Sequence, residues 1–119
     1  MNQFIRNIFR DNPVAKHQQT VLAHQLIKNG EVTSKVATFN YAWLDQNASF
    51  EPHSHKDGIE YFLILEGIGR IKISYKDNKI DEKISKGDFI TLPPNATHSI
   101  HNTSKNRLVF ITLRTLLFS

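Results

Sequence analysis

The feature that most constrains this chain is a cluster of metal-ligand residue types set between strand signals, in the stretch from Pro52 to Gly67. In an extended chain, side chains two positions apart point to the same face, so His53 and His55 project together. Gly58 interrupts that strand, and Glu60 opens the apolar run Tyr61 to Leu65, which turns at Glu66–Gly67. Two imidazoles and a carboxylate gathered in this way can grip one divalent metal ion if a further ligand joins them. The segment Gly87 to Asn102 offers one: a short strand turns on Pro93–Pro94 and presents His98 at the start of the next.

These two stretches resemble the paired motifs of the cupins, G-x5-H-x-H-x4-E-x6-G and G-x5-P-x-G-x2-H-x3-N. His53, His55, Glu60 and Gly67 match the first at its spacing, and Gly87, Pro93, His98 and Asn102 match the second. The resemblance runs over roughly residues 35 to 115. Two positions depart from it, with Asn47 and Asn95 standing where the motifs carry glycine. Asparagine is the non-glycine residue that best tolerates left-handed backbone angles, so both turns are expected to survive. No metal-ligand position is altered.

The chain has 119 residues, enough for one domain with a modest core. With no cysteine, neither a disulfide framework nor a thiolate metal site is available. Arg6, Arg10 and Asp11 interrupt the apolar pairs near the N-terminus, so no signal-peptide core is expected there. No apolar run approaches membrane-spanning length, and a soluble cytoplasmic protein is the default expectation. The net charge of +4 and pI near 9.5 raise the question of nucleic acid. In the densest basic region, Arg70 to Lys86, acids alternate with the lysines, which reads as a solvated mixed surface with no nucleic-acid partner.

Residues 1–18 read as an arm and 19–119 as the single domain. Phe4, Ile5, Ile8 and Phe9 have helical spacing that Asp11-Asn12-Pro13 would end. Asn29–Gly30 marks a hairpin between residues 21–28 and the alternating strand Lys35 to Leu44. A strand at Ala48 to His53 leads into the first motif, and Tyr61 to Leu65, Ile68 to Tyr75, Lys79 to Ile84, Phe89 to Leu92, His98 to Asn102 and Leu108 to Leu117 complete the set. A tight turn is expected at Asp77–Asn78. Many short strands with polar turns indicate an all-β antiparallel sandwich or barrel, and the resemblance makes it the cupin jelly roll, a double-stranded β-helix. Such a fold pairs strands distant in sequence, so His98 can lie beside His53.

The expected site therefore has His53, His55, Glu60 and His98 as ligands of one divalent transition metal (Fe, Mn, Ni, Zn or Cu), with coordination positions left open. Glu60 is also the candidate proton shuttle. Phe62 and Ile100, which share parity with Glu60 and His98, and Tyr41 and Trp43 on β-strand positions with Phe39, are the candidate pocket residues. His17, His24 and His101 fit no motif and read as structural or surface residues. The resemblance implies a metal-dependent enzyme acting on a small oxygen-bearing organic molecule, with a dioxygenase-type oxidoreductase first and an isomerase or decarboxylase second. A non-enzymatic small-molecule binding or sensing module is the alternative from another class. Exposed sheet edges and the apolar arm lead to the expectation of a homodimer.

Overall fold

The computed structural model describes residues 9, 11–16, 20–27 and 35–117. Most of the expected N-terminal helix, the Asn29–Gly30 turn and His17 lie outside the described residues. Phe9 sits in a turn and is exposed.

Nine strands are described: β1 (Val14–Lys16), β2 (Val21–Ile27), β3 (Val36–Leu44), β4 (Gly58–Glu66), β5 (Ile68–Tyr75), β6 (Asn78–Ser85), β7 (Phe89–Leu92), β8 (Thr97–Asn102) and β9 (Leu108–Leu116). Every pairing is antiparallel. One sheet has the order β1-β2-β3-β9-β4-β7 and the other β6-β5-β8, giving an all-β jelly roll. β1 falls within the segment read as an arm and extends the larger sheet by pairing with β2. No helix among the described residues is long and apolar enough to cross a membrane.

The strands alternate as their sequences dictate. On β4, Phe62 and Ile64 are buried and Leu63 is exposed; on β9, Leu108, Phe110 and Thr112 share the inward parity. Register stacks these inward residues into tiers: Leu44 faces Leu108, Ala42 faces Phe110, Asn40 faces Thr112, and Thr38 faces Arg114. From the other side of β9, Ile64 faces Phe110, Phe62 faces Thr112, and Glu60 faces Arg114. The interior thus grades from an apolar end, closed by Leu44, Ile64, Leu108 and Phe110, to a polar end at Glu60 and Arg114. Burying a side chain such as Phe110 contributes about 1.5–3 kcal/mol, so the apolar end anchors the barrel while the polar end stays available for chemistry.

Three local expectations are corrected. The segment 48–53 forms only isolated bridges, Ser49 to His101 and His53 to His98, and no strand. Pro52 has no N–H to donate, and three steps along β8 are matched by four on the other side, so the pairing between the two bridges is out of register. Gly58 does not break a strand but begins β4, because a Cβ there would stand 1.9 Å from the Thr115 carbonyl oxygen of β9. The β5–β6 turn falls at Lys76–Asp77, one residue early, with Asn78 already paired to Tyr75 and Lys76 at φ 53°.

The two departures from the glycine pattern behave as their chemistry requires. Asn47 has φ 60° and Asn95 φ 69°, both left-handed. Asn95 N–H donates to His55 O at 2.8 Å, which ties the second motif's turn to the first motif's loop. Asn102, fully buried, donates through Nδ2 to the carbonyls of Leu44, Asp45 and Asn106 and accepts from Ser104 N–H and Oγ–H.

Candidate metal centre

His53 and His98 meet across the barrel through a backbone bridge: His53 N–H donates to His98 O at 3.0 Å and His98 N–H to His53 O at 2.9 Å. Their rings are 4.3 Å apart, centroid to centroid. Glu60 reaches the same point from β4 in the opposite sheet. One nitrogen each of His53 and His98 and one Glu60 oxygen lie within 4.8 Å of one another, a group able to hold a metal ion. His55 stands at the edge of this group. Its ring is 5.2 Å from that of His53 and 6.3 Å from that of His98, while its Nε2 is 3.4 Å from Glu60 Oε2.

The donor set fits a divalent cation. His98 Nδ1 lies 3.1 Å from Ala96 O, and a ring nitrogen facing a carbonyl must carry the hydrogen. In the neutral ring the lone pair then sits on Nε2, which points at Glu60 Oε1 from 3.0 Å. A lone pair and a carboxylate oxygen repel unless a positive charge, proton or metal, lies between them. Two ligands about 2.1 Å from one ion and at right angles to each other are themselves about 3.0 Å apart. His53 repeats the arrangement, with Nδ1 3.3 Å from Glu51 O. Backbone carbonyls that fix the outer ring nitrogen are the usual support for metal-binding histidines. His55 Nε2 is buried and makes no hydrogen bond, the condition expected of a ligand atom aimed at an ion.

Electrostatics agree with the geometry. Burial raises the Glu60 pKa, but the His55 and His98 rings beside it more than offset this and hold the carboxyl down to about 2. The group is therefore a carboxylate at any physiological pH.

Above the cluster lies a cavity of about 180 Å³. His53, His55 and Glu60 line one part of it, and Phe50, Phe62 and Phe110 give it aromatic walls. Phe62 stands edge-on to His98 with centroids 5.8 Å apart. Ile100 does not line this space; it is buried in the core cluster. Tyr41 and Trp43 do not line it either. They occupy the outer face of β3, where Trp43 lies under Arg107 at 4.9 Å and beside His24 at 5.6 Å. Parity correctly groups Phe39, Tyr41 and Trp43, but it does not say which group faces in. The alternate set, Thr38, Asn40 and Ala42, faces the cavity, and its smaller side chains leave that space open.

The sequence reading also missed Lys16, Thr112 and Arg114, all of which line the cavity. A signal was present on β3 and β9: Asn40 and Arg114 are polar residues at inward parity within otherwise apolar or aromatic runs. His24 is buried beside Tyr41 and Trp43, and His101 is exposed, both away from the cluster.

A jelly roll with His53, Glu60 and His98 gathered inside it, and His55 at their edge, is an all-β barrel with a candidate metal site. Within that class, the cupin domain model matches residues 41–114, and the chain belongs to that family. No curated protein sequence matches it. Among solved structures, a predicted oxalate decarboxylase from Thermotoga maritima superposes with a TM-score of 0.82 at 24% identity, covering 96% of this chain and 100% of that one. A cupin 2 conserved barrel domain protein from Salinispora arenicola gives 0.76 at 16% identity, with 98% and 92% covered. The cupin domain of Cnp3 from Schizosaccharomyces pombe gives 0.74 at 17%, with 95% and 74% covered.

Proposed function

We propose that the chain is a metal-dependent enzyme acting on a small organic molecule that binds through oxygen, with dioxygenase-type oxidation as its reaction. The observation that carries this is the cluster of His53, Glu60 and His98, with His55 beside Glu60, next to a small, part-aromatic cavity that His53, His55 and Glu60 line. A divalent transition metal held by those four residues would polarise a substrate oxygen and, as Fe or Mn, would bring redox chemistry within reach of dioxygen. The chain's own residues supply the rest. Phe50, Phe62 and Phe110 keep water from the reacting end. Glu60, a carboxylate held between His55 and His98, can accept a proton from a substrate hydroxyl as that oxygen approaches.

A non-redox decarboxylase or isomerase is the second reading, favoured by the cationic side chains Lys16 and Arg114 in the cavity wall and by likeness to a protein described as a predicted oxalate decarboxylase. Fe(II)- and Mn(II)-loaded protein, assayed against catechols, hydroxy acids, diketones and sugar derivatives, separates the readings. Oxygen uptake with product supports the dioxygenase, and product without oxygen uptake supports the non-redox enzyme. Ligands that raise Tm while no metal yields product would replace both with a binding or sensing module.

The homodimer is proposed on a separate surface. Phe39, Tyr61, Leu63, Phe89, Ile111 and Leu113 form one apolar groove on the outer face of the larger sheet, with Phe89 63% exposed. An exposed apolar groove of this kind can be covered by the same groove of a second copy about a two-fold axis. Light scattering at micromolar concentration tests this, and a monomer would contradict it.

A further inference from the structure

We infer that the ligand of this cavity is a small organic anion whose carboxylate is held by Lys16 and Arg114 and whose own hydroxyl hydrogen is donated to Asn40 Oδ1. The inference deepens the proposed function and rests on it only for the end of the ligand that faces the histidine–glutamate cluster.

The first observation is charge. Lys16 and Arg114 line the same cavity as Glu60, and no other acid among the described residues lines it. Arg114 is the register partner of Glu60 on the neighbouring strand, and its side chain is 13% exposed. One of its nitrogens donates to Asp57 Oδ1 at 3.0 Å, and Asp57 lies mostly in solvent. A guanidinium has five N–H donors in a planar fork, so this bond leaves several for a carboxylate. Lys16 is half-buried and makes no ion pair among the described residues. Burial lowers its pKa, Glu60 pulls it back up, and Arg114 lowers it again, so its ammonium feels both of those groups. Once a divalent cation takes up the charge of Glu60, the remaining walls are net positive. Arg114 has Asp57 as a partner, but a half-buried Lys16 without one is costly to keep charged, and an anionic ligand lowers that cost.

The second observation is independent of charge. Asn40 is 6% exposed, and its Nδ2 donates to Thr112 Oγ1 at 2.8 Å. Its Oδ1 is buried with no hydrogen-bond partner. A buried acceptor left open on a cavity wall calls for a donor on the ligand. The site thus asks for negative charge and one hydrogen to give, in about 180 Å³, room for roughly six waters at ~30 Å³ each. A short hydroxycarboxylic acid has that size and both features.

The test is calorimetric titration of the metal-loaded full chain, with metal content measured on each sample. The probes are glycolate, malate and succinate, the amides of the first two, and inorganic phosphate. The acids are expected to bind about tenfold or more tighter than their amides, the difference made by one charge-assisted contact. Lys16→Gln, at the end of an edge strand, should remove most of that preference by weakening the acids far more than the amides. Malate should bind tighter than succinate, and Asn40→Ala should abolish the difference. Amides that bind as well as acids, or a Lys16→Gln variant that weakens both by the same factor, would overturn the inference. So would phosphate that matches malate and ignores Asn40→Ala. If the protein proves to hold no metal, the metal reading fails alone, because acid and amide can still be compared on that same protein.

Discussion

Over part of their length the two faces of the larger sheet depart from the usual pattern of a half-buried β-sheet. Its inner face, along β3, β9 and β4, carries Asn40, Thr112, Arg114 and Glu60 among its inward residues, while its outer face carries Phe39, Tyr61, Leu63, Ile111 and Leu113. In an ordinary sandwich the apolar residues would face in and the polar ones out. Here the inner polar residues occupy only the tiers near the metal cluster, and the tiers beyond them return to Ala42, Leu44, Ile64, Leu108 and Phe110. The difference teaches that stability and chemistry are divided along the strand axis inside the barrel. The outer face is the one proposed above for association.

The largest effect expected on the inner face comes from His98, which is 1% exposed and bonded on both ring nitrogens. His98→Ala should strip most of the metal, by more than tenfold in affinity, as ligand losses of this kind do. Elemental analysis reads this directly, and unchanged occupancy would remove His98 from the site.

Metal stabilisation should depend on pH. Imidazoles ordinarily titrate near ~6.5 and bind metal only when neutral, so the metal's contribution is full above that pH and falls below it. A saturating metal at a hundred times its Kd stabilises by about 2.7 kcal/mol, and melting with and without chelator at pH 8 and pH 5 should show most of that lost at pH 5. The metal-free protein has a second, lower limb. The Glu60 pKa is depressed from 4.5 to about 2, so the stability it contributes is present above 4.5 and lost as pH falls towards 2. Glu60→Gln should flatten that limb in the metal-free protein.

A smaller effect is expected where the inner polar pair is broken without touching the metal. Thr112→Val removes the acceptor of Asn40 Nδ2 and leaves a buried donor unpaired. Denaturant unfolding should show a loss of about 1–3 kcal/mol, against no loss if the pair were incidental. The smallest effect on folding belongs to the outer face. Phe89→Ser, at an exposed site, should change monomer stability by no more than about 0.5 kcal/mol while shifting the protein from dimer to monomer in light scattering. A large stability change with unaltered association would reverse the roles assigned to the two faces.

Much of this was legible in the chain itself. The spacing pointed to His53, Glu60 and His98, which the fold does gather, with His55 at their edge, and strand alternation with polar turns carried the all-β class. Asn47 and Asn95 were readable as left-handed turn residues because few other side chains tolerate those angles. What was not legible is which face of a two-sided strand turns inward. β3 alternates a large aromatic set with a small polar one, and hydrophobicity alone places the aromatics inside. The need for open space beside the cluster decides the matter, and that need belongs to the assembled barrel. Lys16 was hidden for a related reason: its strand is three residues long and is recruited by pairing with β2.

The central claim is that His53, His55, Glu60 and His98 form one metal centre. Its most direct test is X-ray absorption at the metal edge, with elemental analysis, on protein purified without chelator or nickel affinity. The account predicts about one divalent transition metal per chain, with the multiple-scattering pattern of imidazoles at about 2.0–2.2 Å. Substoichiometric metal that stays unchanged when His53 or His98 is replaced, or a spectrum without imidazole scattering, would contradict it.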